Sequence, residues 1–114
     1  MININGEDWE ILLVSPFHPS LRRSDGHYTL GCCDDYLKTI FIADDVDDYY
    51  LKKVLSHELT HAAMYSYNID LSYEQEEVVA DLIATYGHEI IHITNWLLEE
   101  LGKCRQCFHE ERYL

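Results

Sequence analysis

His57 and His61 stand four residues apart in the segment His57-Glu58-Leu59-Thr60-His61. On a helix, positions i and i+4 stack on one face, so both imidazoles can reach a single metal ion. Glu58 sits about 100° round the helix from His57, near enough to hold a metal-bound water without itself being a ligand. Imidazole and carboxylate donors suit zinc, which in a catalytic site takes three protein ligands in a tetrahedron and leaves the fourth position to water. With 7 histidines in 114 residues, random placement yields roughly 0.04 copies of this pattern, so chance explains it poorly.

Such a site needs a third protein ligand from an element facing the first helix. Glu74, Glu76 and Glu77 are all candidates. Glu77 ranks first because it heads Glu77-Val78-Val79-Ala80-Asp81, which puts Glu77 and Asp81 one turn apart on a common face. Asp81 is then placed to hold a zinc-bound histidine by its other ring nitrogen.

The elements that must position these residues are legible from periodicity. Leu51, Val54, Leu55, Leu59, Ala62 and Ala63 recur at helical spacing from Asp47 onward, with Asn68 just past the end. A second helix starts after Ser72, where Ser72 and Gln75 have the spacing of a capping box, and Val78, Val79, Leu82, Ile83 and Tyr86 form one apolar face. Gly87 is a potential break, so residues 73 to 101 are one long helix or two, stopping before Gly102. Ahead of the helices the chain reads as β: Ile2 to Ile4, the turn Asn5-Gly6, Trp9 to Val14, then His27 to Cys33 and Lys38 to Ala43 as an antiparallel pair round Asp34-Asp35. Ser15 to Gly26 reads as a surface loop or a short turn of helix. The fold class expected is α+β: one domain over 1–114, with a small, mainly antiparallel sheet packed on the histidine helix and a second long helix carrying the third ligand.

His88-Glu89-Ile90-Ile91-His92 repeats the pattern. On one uninterrupted helix Glu77, Asp81, His88 and His92 share a stripe, and His88 is then a possible oxyanion donor approaching the metal site from the distal side. The alternatives are a pair of surface or interhelical histidines and a second metal site. Cys104 and Cys107 have the gap of half a zinc knuckle, but with Cys32 and Cys33 they read as reduced, passive thiols. Tyr65, Tyr67, Tyr73 and Tyr86 are assigned no role.

A composition of 47% hydrophobic and 25% charged residues belongs to a globular chain, without an apolar run of membrane-spanning length or a secretory signal, and points to a cytoplasmic protein. The net charge of -13 disfavours nucleic acid and anionic membranes and favours a neutral or basic partner; the oligomeric state is open.

His57-Glu58-Leu59-Thr60-His61 followed by Glu77-Val78-Val79-Ala80-Asp81 resembles the gluzincin signature, and its small scale resembles the ImmA/IrrE-type metallopeptidases, including prophage-borne ones. The likeness covers about residues 28 to 86. It implies a zincin-like fold in which His57, His61 and Glu77 bind one zinc ion, Glu58 is general base and acid, and Asp81 steadies a ligand. It also implies that a strand such as Thr39 to Ala43 forms the sheet edge on which an extended peptide pairs. The expected activity is zinc-dependent hydrolysis of peptide bonds in a protein or peptide substrate, a basic one if net charge steers it. The competing expectation is a catalytically inert, zinc-stabilised acidic binding or inhibitor protein of phage or mobile-element type.

Overall fold

The structure is a computed structural model and describes residues 1–103; the Cys104 and Cys107 half-site lies outside the described residues. Four strands come first: β1 (Ile2–Ile4), β2 (Glu7–Val14), β3 (Gly31–Asp34) and β4 (Thr39–Ala43). Three helices follow: α1 (Asp48–Ser66), α2 (Tyr73–Leu82) and α3 (His88–Lys103), the last two joined by a π-helical segment, Ile83–Gly87. The class is α+β, as expected.

Asn5 and Gly6 both adopt positive φ (48° and 84°), the left-handed pair that a two-residue hairpin requires, and β1 pairs antiparallel with β2. β3 and β4 form the expected antiparallel pair, but β3 begins at Gly31 and not at His27. The backbone before it turns back on itself, with Arg23 N–H bonded to the His27 carbonyl and Thr29 N–H to that of Leu21.

The sheet is mixed, with order β1-β2-β4-β3, because β2 and β4 run parallel. This corrects the placing of Thr39 to Ala43 at the sheet edge: β4 is interior, and the edge strand on that side is β3. The physical reason lies in both faces of β4. Ile40 and Ile42 pack with Trp9 and Ala62 towards α1, while Phe41 and Ala43 pack with Leu21 on the other face, so all five residues of β4 are buried. An unbroken apolar run is the pattern of a central strand covered on both sides.

α1 is capped at the start by Asp47, whose carboxylate accepts from Tyr50 N–H, and is closed by Asn68 at φ 54°, with Ile69 N–H bonded to the Met64 carbonyl. Ser72 and Gln75 make the reciprocal capping box and start α2. The short connection folds α2 back along α1, which gives the two helices opposing directions and sets Glu76, Glu77 and Asp81 against His61 and His57.

Gly87 does not break the helix. The π segment that ends there carries the chain on without a cap, and α3 runs through Gly102 to Lys103. No helix among the described residues is long and apolar enough to cross a membrane.

Candidate metal centre

The imidazoles of His57 and His61 turn their Nε2 atoms to the same point. The two nitrogens are 3.2 Å apart, and the Glu77 carboxylate closes the group at 2.8 Å from His61 Nε2 and 3.5 Å from His57 Nε2. Behind each ring stands another carboxylate, hydrogen-bonded to His61 and within ion-pair range of His57. Asp81 Oδ1 lies 3.0 Å from His57 Nδ1, and Glu76 Oε1 lies 2.6 Å from His61 Nδ1. A neutral imidazole that gives its Nδ1 proton to such a partner presents a lone pair at Nε2.

With both rings in that tautomer, two lone pairs and a carboxylate oxygen converge within a span of 4.8 Å. Three electron-rich atoms in that arrangement repel one another unless a proton or a metal cation lies among them, and the group could hold a metal ion. His61 is buried, whereas His57 and Glu77 are partly open to solvent, which leaves one side of the cluster accessible.

Glu58 is 7% exposed and points to the opposite wall, where Gly31 begins β3. A Cβ on Gly31 would stand 3.0 Å from Glu58 Oε2 and 2.8 Å from Val54 Cγ1, so the strand approaches this closely only because the residue is glycine. Burial pushes the Glu58 carboxyl above the ordinary range; His57 and His61 pull it down and Glu77 adds to the rise. A carboxyl raised in this way is a stronger proton acceptor when ionised than an exposed one.

The cluster opens into two adjoining depressions, of about 470 and 350 Å³, which share His57, Glu58, Glu77, Gly31, Thr29 and Arg23 in their walls. β3 forms one wall, with Cys32 and Cys33 beside the first depression. Burial raises both thiols above their ordinary value, which keeps them protonated and unreactive.

Of the residues expected from the sequence, His57, His61, Glu77, Glu58 and Asp81 are brought together. His88 is not. Its Nε2 bonds Ser56 Oγ at 2.7 Å, and it lines a separate depression with Lys52, Lys53 and Thr85. A π turn holds one residue more than an α turn, so it rotates everything after it back by about 100° and takes His88 and His92 off the stripe of Glu77 and Asp81.

Sequence reading weighed Glu76 only as a rival ligand and missed its part as the partner of His61. The available signal was symmetry: two histidines one turn apart each need a partner, and Glu76 and Asp81 flank Glu77 on the facing helix. Comparison with known protein families, with curated proteins and with solved structures gives no match.

Proposed function

We propose that the protein is a small zincin-like metallopeptidase that uses one zinc ion to hydrolyse peptide bonds. The observation that carries this reading is the convergence of two imidazole Nε2 atoms and a Glu77 oxygen, with the back of each imidazole held by a carboxylate and Glu58 buried beside them. The two Nε2 atoms, 3.2 Å apart, match the ~3.3 Å expected between ligands of a tetrahedral ion with bonds of about 2.0–2.1 Å, and Glu77 brings one oxygen to each of them, Oε1 to His61 at 2.8 Å and Oε2 to His57 at 3.5 Å. Nitrogen and oxygen donors, three in number with one side open, are the donor set of catalytic zinc; structural zinc sites close all four positions.

Zinc bound there supplies Lewis acidity, polarising a carbonyl and acidifying a water. The chain's own groups do the rest. Glu58 takes the proton of the attacking water and passes it to the departing amine, and its burial keeps that proton out of bulk solvent. Asp81 and Glu76 hold the two imidazoles in one tautomer and one orientation. β3, whose outer edge has no strand partner among the described residues, offers backbone groups to an extended peptide, the part first expected of Thr39 to Ala43.

Elemental analysis of protein purified without a histidine tag tests the reading first. About one zinc per chain is expected, lost in His57→Ala and Glu77→Ala and retained in Glu58→Gln and His88→Ala. Glu58→Gln is further expected to abolish cleavage of a peptide library that the wild type cleaves. Equal loss of metal in all four variants, or no metal in the wild type, would remove the proposal. The inert binding protein is disfavoured by Glu58, since a structural site has no use for a buried carboxylate that is not a ligand.

A further inference from the structure

The chain carries 8 Lys and Arg against 21 Asp and Glu, yet its cations are not spread evenly. Of the five Lys and Arg side chains between Met1 and Gly102, three line the groove at the metal cluster. Arg22 lines the depression on the side of Cys32, Lys53 the depression on the side of Asp81, and Arg23 both. All three are exposed, and none has an ion-pair partner among the described residues. Lys38, outside the groove, is paired with Glu7 and Asp35. The carboxylate that acts on Arg23, Asp25, has its oxygens engaged by His27, through the backbone N–H at 2.9 Å and Nδ1 at 3.3 Å.

The backbone that carries the two arginines is held in place by the fold. Leu21, fully buried against Phe41 and Ala43, anchors the chain just before them. Arg22 pairs with Tyr28 as a β-bridge, and Arg23 N–H bonds the His27 carbonyl at 2.7 Å. Four carboxylates line the same two depressions: Glu58, Glu76, Glu77 and Asp81. Three of these are turned to His57 and His61, and a divalent ion at the cluster offsets two of the four charges. With such an ion bound, the groove would carry five positive charges against four negative ones, three of the positive ones on side chains without an ion-pair partner among the described residues.

We infer that the groove is built to take a substrate bearing a carboxylate, with Arg23 as the central recognition residue and Arg22 and Lys53 at either end. The inference rests on the peptidase reading for the orientation of substrate in the groove. It reverses the partner charge suggested by the net charge of the chain, because a bound segment meets the local field of the groove walls and not the average over the surface. Guanidinium groups bind carboxylates in a bidentate fork that fixes orientation as well as charge, which makes the arginines determinants of specificity.

The carboxylate can belong to an Asp or Glu side chain or to the end of a peptide, and one experiment separates them. Fluorescein-labelled decapeptides with Asp and Glu, with Gln, or with Lys about a fixed neutral centre, all amidated at the C-terminus, are titrated into zinc-loaded Glu58→Gln protein. A Gln peptide with a free C-terminus completes the set. We expect the acidic peptides, or the free-carboxylate peptide if the chain end is what is read, to bind at least tenfold tighter than the Lys peptide. That order should invert in the Arg22→Glu/Arg23→Glu double variant, which keeps its zinc.

Equal affinities, tighter binding of the Lys peptide, no binding of any peptide, or a preference that survives the charge reversal would overturn the inference. Cleavage of the same peptides by wild-type protein tests the underlying reading separately. An acidic preference in binding with no cleavage keeps the recognition residues and removes the peptidase; cleavage without charge preference does the opposite.

Discussion

Asp81 Oδ1 lies 3.0 Å from His57 Nδ1, on the far side of the ring from the nitrogen that faces Glu77. Glu76 stands behind His61 in the same way, closer at 2.6 Å and with hydrogen-bond geometry. The two helices thus supply a matched set, one carboxylate shared by both imidazoles and one private to each. Removing a private carboxylate leaves all three candidate ligands in place but frees a ring to rotate and change tautomer. Asp81→Ala and Glu76→Ala should each weaken metal binding by roughly 10- to 100-fold without changing stoichiometry at saturation. Glu76 should have the larger effect, because its side chain is 15% exposed and that of Asp81 69%. Competition against a chelator of known affinity measures both; unchanged affinity in the pair would leave these carboxylates without a part in the site.

Gly31→Ala tests the wall behind Glu58. The new methyl meets Val54 Cγ1 at 2.8 Å and Glu58 Oε2 at 3.0 Å, and Val54 sits on α1, the helix that carries His57 and His61. A loss of about 1–3 kcal/mol in urea unfolding is expected. Gly102→Ala, where nothing lies within 4 Å, serves as the contrast, and in a helical position it should be neutral or stabilising by up to about 1 kcal/mol. Equal behaviour of the two variants would show that β3 can move away from α1 at little cost.

Trp9 is fully buried, and its indole N–H donates to Ser66 Oγ at 2.8 Å, tying β2 to the last turn of α1. In Ser66→Ala the buried donor loses its acceptor, and stability should fall by about 1–3 kcal/mol. The near-ultraviolet signal of Trp9 should change with it. Full retention of stability would mean that the indole finds a new partner.

Alkaline pH should destabilise the fold. Burial, the larger cause, and the charge of Glu58 raise the Cys33 thiol well above its ordinary value of 9.0, and Cys32 moves in the same direction. Below pH 9 the thiol is protonated in folded and unfolded chains alike, so its full contribution to stability is present. Above it the unfolded chain gives up the proton while the native chain keeps it, and stability falls as pH rises through that window. Tyr65, raised from 10.0 chiefly by burial, continues the trend. Urea midpoints at pH 8 and pH 10.5 measure the slope, which should be shallower in Cys33→Ala; a flat profile would show that the native thiol ionises as freely as an exposed one.

Local signals determined much of this protein. The spacing of His57, Glu58 and His61, the one-turn interval between Glu77 and Asp81, the capping box at Ser72 and the turn at Asn5-Gly6 are each set by a few neighbouring residues, and the structure places each where that spacing indicates. A helix fixes which side chains share a face, so two short patterns sufficed to bring five site residues together.

Other features were decided only when distant segments met. Strand order depends on which apolar faces find cover. Thr39 to Ala43 became the central strand once Leu21 covered one face and α1 the other, and the outer position passed to β3. The π segment moved His88 away by rotation, through backbone bonding that no spacing rule announces. Arg22 and Arg23 reached the histidine cluster from the loop between β2 and β3, where sequence distance says nothing about proximity to the histidines. Periodicity is a property of one element, whereas a strand's neighbours and the lining of a groove are set by how elements pack against each other.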